Sequence, residues 1–164
     1  MANNITAIRG SALTFTGNPF QVGGEQSAHH EADALIIMQD GKITAFGDYD
    51  ATKQQLPEGV PVTTYTDALI LPGFIDTHVH YPQTQIIGAY GKQLIDWLNN
   101  YTFIAEQQFA SSEHGHDVAK VFLRECARAG TTTAMVYCTV YPQSVDAFFE
   151  ESEKINARMI AGKV

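Results

Sequence analysis

His78-Val79-His80 is the stretch whose residue types and spacing bear most directly on chemistry. It closes an apolar run from Phe74 to Val79 that reads as a short strand. On a strand, residues i and i+2 project to one face, roughly 6.6 Å apart at about 3.3 Å rise per residue. Two imidazoles on one face can converge on one metal ion while Val79 turns into packing. Imidazole suits zinc and iron. Asp76, two residues earlier, is expected on the same face, where it would orient or cover the site. A near-continuous apolar run suits a strand covered on both faces, as in parallel sheets. In a parallel β/α barrel, the C-terminal ends of the strands carry the catalytic residues.

Two other histidine groups test how much the pattern means. His114-Gly115-His116 repeats the spacing, but in the first turn of a predicted helix that Ser111 opens. There, positions i and i+2 diverge by roughly 200°, so these imidazoles cannot share a metal, and both are expected to be exposed. His29 and His30 are adjacent and face opposite ways on an extended chain. They sit beside Glu31 in a polar stretch and read as a surface loop.

The elements that must position the His pair can be read outward from it. Residues 1–70 are β-rich, with several short strands of a small β-sandwich. Asp40-Gly41 between two apolar runs is a strong hairpin signal, because both residues tolerate positive φ. Beyond His80, Tyr81 to Lys92 reads as a loop. Leu94, Leu98, Tyr101 and Ala105 repeat at helical spacing. A second helix runs from Ser111 to Gly130, with a stripe of Val118, Val121, Phe122, Cys126 and Ala129. Thr131 to Cys138 is a β-branched strand. Ser144 caps a third helix with Val145, Phe148, Phe149 and Ile155 inward, and Arg158 to Val164 starts another strand.

Composition limits the function classes. Apolar residues make up 45% and charged residues 17%, which describes an ordinary globular chain. A net charge of -8, from 18 acidic against 10 basic residues, argues against nucleic-acid binding. No apolar run approaches the length of a membrane span, and the first residues carry no secretory signal pattern. Cys126 and Cys138 form neither a metal pair nor a disulfide framework, as for reduced thiols in a cytoplasmic protein.

Pro72-Gly-Phe-Ile-Asp-Thr-His-Val-His80 resembles the first-strand signature of the metal-dependent amidohydrolase superfamily. Tyr81-Pro82-Gln83, Gly88, the run from Leu94 to Phe103, and Glu106 resemble the guanine deaminase family within it. Ile104 departs from that family, which has proline there. The resemblance implies an α/β fold. Residues 71–164 would be the start of a (β/α)8 TIM-type barrel, about two and a half of its units, preceded by a β-sandwich part over residues 1–70. It implies hydrolytic deamination of guanine to xanthine and ammonia by a metal-bound hydroxide. His78 and His80 would hold one divalent metal, zinc or else iron. Gln83 and Trp97 would hold the base, the carboxamide through one acceptor and two donors and the indole through its flat face. Guanine is then the partner, with no nucleic acid and no membrane, and the full-length protein is a homo-oligomer.

The family's further ligands, two histidines and an aspartate, and its proton-shuttling glutamate match nothing here, so this chain carries no catalytic residue of its own. Two alternatives stay open. One is an amidohydrolase acting on another purine or a halogenated triazine. The other is a non-catalytic truncated fragment, or half of a split enzyme that needs a partner chain.

Overall fold

The computed structural model describes residues 4–164, so the first three residues of the β-rich stretch lie outside it. Contacts divide the chain after Pro72 into two compact units.

The first unit is built on one sheet of β1 (Ile5–Phe15), β2 (Ala28–Gln39), β3 (Lys42–Asp48) and β4 (Val62–Ile70), in the order β3-β2-β1-β4. The described residues of this unit form a single four-stranded sheet. Two short helical turns, α1 (Pro19–Val22) and α2 (Tyr49–Thr52), interrupt it. One apolar cluster gathers Ala7, Leu35 and Ile37 with Tyr49, Leu56 and Val60. A second gathers Ala12, Ala34 and Ile36 with Phe46 and Ile70. Asp40 (φ 51) and Gly41 (φ 78) make the two-residue turn between β2 and β3, as the sequence predicts. β4 runs parallel to β1 and extends through Ala68-Leu69-Ile70. His29 and His30 lie within β2, opposite Thr14 and Leu13, not in a loop. An antiparallel strand with a wet side tolerates polar residues, so polarity alone does not mark a loop there.

The second unit is a parallel sheet of β5 (Phe74–His80), β6 (Thr131–Tyr137) and β7 (Arg158–Gly162), in that spatial order. The crossovers carry α3 (Leu94–Trp97), α4 (Phe103–Gln107), α5 (Ser112–Arg128) and α6 (Pro142–Lys154). Val118, Ala119, Phe122 and Leu123 of α5 and Phe148 of α6 pack with Ala134 and Val136 of the sheet. The other face of the sheet is open, with Met135 43% and Ile160 59% exposed. Among the described residues, β5 pairs with β6 alone. Phe74 and Ile75 are exposed, which corrects the expectation of a strand covered on both faces.

Helix ends follow the sequence more closely than helix faces do. The Ser111 hydroxyl accepts the His114 N–H at the start of α5, and Gly130 at φ 79 ends it. The buried stripe of α5, however, runs through Gly115, Val118, Ala119, Phe122 and Leu123, leaving Val121 and Ala129 exposed. The stripe is turned toward α6: a Cβ on Gly115 would stand 3.2 Å from the Ala147 Cβ. α6 starts one turn earlier than expected, at Pro142. Ser144 lies inside its first turn, and Phe149 and Ile155 are exposed. Between α3 and α4 the chain makes a π-helical turn, Leu98–Thr102. A π turn holds more residues than an α turn, so the buried face passes through Thr102, Ala105 and Phe109 instead of Tyr101.

Candidate metal and substrate site

β5 presents His78 and His80 side by side, with ring centroids 5.4 Å apart. Both rings lie against Tyr137 of β6, at 4.8 and 4.7 Å, and His80 stacks on it. Tyr137 is the residue opposite His80 in the parallel register, which fixes the contact. Asp76 does not join this face. It pairs with Ala134, while Val79 pairs with Val136, so β5 fits an extra residue between them. This bulge turns Asp76 to the helix-covered side with Val79. Its carboxylate accepts the His78 backbone N–H at 2.9 Å, so it orders the bulge and not an imidazole.

Neither imidazole hydrogen-bonds another described residue, so both keep ring nitrogens available. Burial, and then neighbouring His78, hold His80 below the usual histidine range. That favours the neutral imidazole that ligates metals. The donor set therefore suits a divalent metal of the zinc or iron type. No group of three or more His, Cys, Asp or Glu able to hold a metal occurs among the described residues.

The chain after His80 is pinned at once. Tyr81 is fully buried, and its hydroxyl donates to the Ser144 carbonyl at 2.6 Å. A 3-10 stretch, Tyr81–Ile86, then carries Gln83. Gln83 is half-buried beside Glu106 of α4. Burial pushes the Glu106 carboxyl up, and the Gln83 carboxamide pulls it back. Trp97 ends α3, and its indole N–H donates to the Ala89 carbonyl at 3.0 Å. His78, His80, Gln83 and Trp97 all line one open cavity of about 590 Å³, which also takes in Phe122 and Cys126 of α5.

Three participants are absent from the sequence reading. Tyr137 needed the parallel register of β6 against β5, which a strand prediction alone does not supply. Glu106 stood in the motif without a role. The Ala89 carbonyl has no side-chain signal at all. The second His-x-His pair behaves as two separate residues. His114 packs edge-on against Phe109 at 4.9 Å, and His116 Nδ1 lies 2.7 Å from Glu151. Both are half-buried, not exposed, because α5 packs at its N-terminal turn.

The Amidohydrolase family pattern matches residues 69–164. Guanine deaminase of Escherichia coli (strain K12) is 42% identical over 165 residues, covering 99% of this chain and 37% of that relative. A solved structure of E. coli guanine deaminase gives a TM-score of 0.87 at 43% identity, over 96% of this chain and 37% of the other. A crystal structure of guanine deaminase from C. acetobutylicum, with guanine bound in its active site, gives 0.77 at 25% identity, over 97% and 36%. The chain thus spans about a third of the length of the curated relatives it matches, 37% and 36% for two of them.

Proposed function

This chain belongs to the amidohydrolase family, and from that premise we propose that it serves a guanine deaminase, which hydrolyses guanine to xanthine and ammonia. In this reading the second unit is the opening of a β/α barrel, and the first is part of a separate β domain. His78 and His80 hold one divalent metal, zinc before iron. When bound, such a metal supplies a nucleophile at neutral pH by lowering the pKa of water. Gln83 recognises the base: its carboxamide presents an acceptor and two donors to the polar edge of a purine. Tyr137 backs the two imidazoles, and the depressed basicity of His80 keeps it a ligand rather than a cation.

The observation that carries this reading is the single cavity shared by the imidazole pair and Gln83. A second reading draws on the ligand count. A catalytic zinc site usually has three protein ligands and this chain offers two, so the rest must come from other residues, on this protein or on a partner chain. Its working place in either case is the cytoplasm, without nucleic acid or membrane.

The test is xanthine formation from guanine by the protein as its native source makes it, with the intact mass measured on the same sample. Turnover that stops with a chelator and returns with zinc supports the reading. Absence of xanthine with zinc present refutes it. Turnover that appears only when a second chain is added supports the split form.

A further inference from the structure

Trp97 is engaged with its own protein on two sides. The indole N–H is donated to the Ala89 carbonyl at 3.0 Å. The Trp97 Cβ, Cγ and Cα crowd Gly91 so closely that a Cβ built there would stand 2.3, 2.9 and 3.0 Å from them. Glycine is required at 91 by this close approach, not by its backbone angle. The loop that these contacts hold is itself a made turn. Ile87 (φ -56, ψ 126) and Gly88 (φ 81) are the central residues of a type II turn, closed by the Ala89 N–H on the Ile86 carbonyl at 3.0 Å. Apart from that hydrogen bond the loop has little burial of its own, since Ile87 is 83% and Tyr90 81% exposed. The inner side of the loop, from Ile86 to Ala89, lines the same cavity as Gln83.

We infer that Trp97 is a latch: a positioning residue that holds the loop 87–92 as a wall of the cavity, and through it sets the width available to a flat base beside Gln83. The inference rests on reading that cavity as the purine site. It differs from a direct stacking role for Trp97, because a stacking residue needs only its ring, whereas a latch needs the N–H and the bare Gly91.

Two variants separate these. Trp97→Phe keeps a flat ring and removes the donor. Gly91→Ala leaves Trp97 intact, changes no cavity-lining residue, and forces the loop off the indole. Chymotrypsin cleavage after Tyr90 reads the loop directly. Cleavage after Phe148, fully buried in the same unit, serves as the control for general unfolding. Each rate is normalised to that of the same variant unfolded in urea, because residue 91 follows the scissile bond; both variants should then be cut after Tyr90 about fivefold faster, the rise in open population that loss of one hydrogen bond produces, with Phe148 cleavage unchanged. With guanine as substrate, both should raise KM by a similar factor and leave kcat unchanged. Unchanged cleavage after Tyr90 in both variants overturns the latch. Faster cleavage with an unchanged KM overturns its positioning role. A protein that does not turn over guanine at all fails the substrate reading alone, and the cleavage rates still decide the latch.

Discussion

Replacing Tyr81 with Phe removes one oxygen from the centre of the second unit, and the structure says what that costs. Tyr81 is fully buried, edge-on to Phe109 at 5.2 Å and tilted against Phe148 at 4.9 Å. Those ring contacts survive the substitution. What disappears is the hydroxyl donated to the Ser144 carbonyl at 2.6 Å, a bond between residues 63 apart in sequence. Burial has already pushed the phenol well above the usual tyrosine range, so it is a neutral donor at every working pH. Losing a buried neutral hydrogen bond and leaving its acceptor short costs about 1–2 kcal/mol. In a unit of this size that is a fall in Tm of about 5–10 °C. Urea unfolding followed by the fluorescence of Trp97, the one tryptophan, measures it without a label. The midpoint should drop at constant slope. Phe148→Ala, which empties part of the same core, should cost more, about 3–5 kcal/mol. A Tyr81→Phe change below about 0.5 kcal/mol, the range of ordinary surface substitutions, would refute the claim that this bond ties the end of β5 to the start of α6.

Three further outcomes follow from the side chains. Burial pushes the Cys138 thiol up to about 12, so at pH 8 a thiol reagent should modify Cys138 only after unfolding and half-buried Cys126 slowly; equal rates in the native protein would contradict this. Lys154, and then His116, hold the Glu151 carboxyl below its usual range. A depressed native pKa gives stability that is present above the unfolded value of about 4.3 and lost as pH falls through the native one. The urea midpoint should therefore fall in that acid window, and Glu151→Gln should lower it at neutral pH and flatten the window. Finally, on the proposed metal site, His78→Ala and His80→Ala should each weaken zinc retention in equilibrium dialysis by at least about tenfold; undiminished retention by a variant would remove the replaced histidine from the ligand set.

The His78–His80 pair was legible because strand periodicity is local: the backbone alone decides that i and i+2 share a face. Asp76 was misplaced for the opposite reason. Its face depends on a bulge that exists only in the pairing of β5 with β6, and nothing in the sequence around it announces that. The same division explains the helices. Ser111 and Gly130 mark the ends of α5 through bonds and angles of their own. Which side is buried depends on where α6 and the sheet press, so Val121 and Ala129 moved out and Gly115 and Ala119 moved in. The π turn at Leu98–Thr102 defeats any count based on 3.6 residues per turn. Gln83 and Trp97 are singled out by resemblance alone, and the structure adds that both line one cavity. What Trp97 touches, the Ala89 carbonyl and bare Gly91, required coordinates.

The two faces of the β5-β6-β7 sheet bear on the barrel reading. A parallel sheet is ordinarily covered on both sides, yet here the helices cover one. The open face is graded along the strands. Met135 lies beside Ile160 in the register, an apolar pair in mid-strand. One step further along that face comes Tyr137, with His80 stacked on it and His78 tilted against it. A barrel interior has this order: layers of apolar side chains fill the middle, and the reactive groups stand above them at the C-terminal rim. Because all three strands run parallel, the imidazoles and the chain that carries Gln83 emerge at one end of the sheet. On the proposed barrel, Met135 and Ile160 belong to a packed layer and Tyr137 to its ceiling. Met135→Lys separates the possibilities: little change in stability leaves this face a wet surface, whereas collapse of the native fold in the protein from its own source makes it an interior.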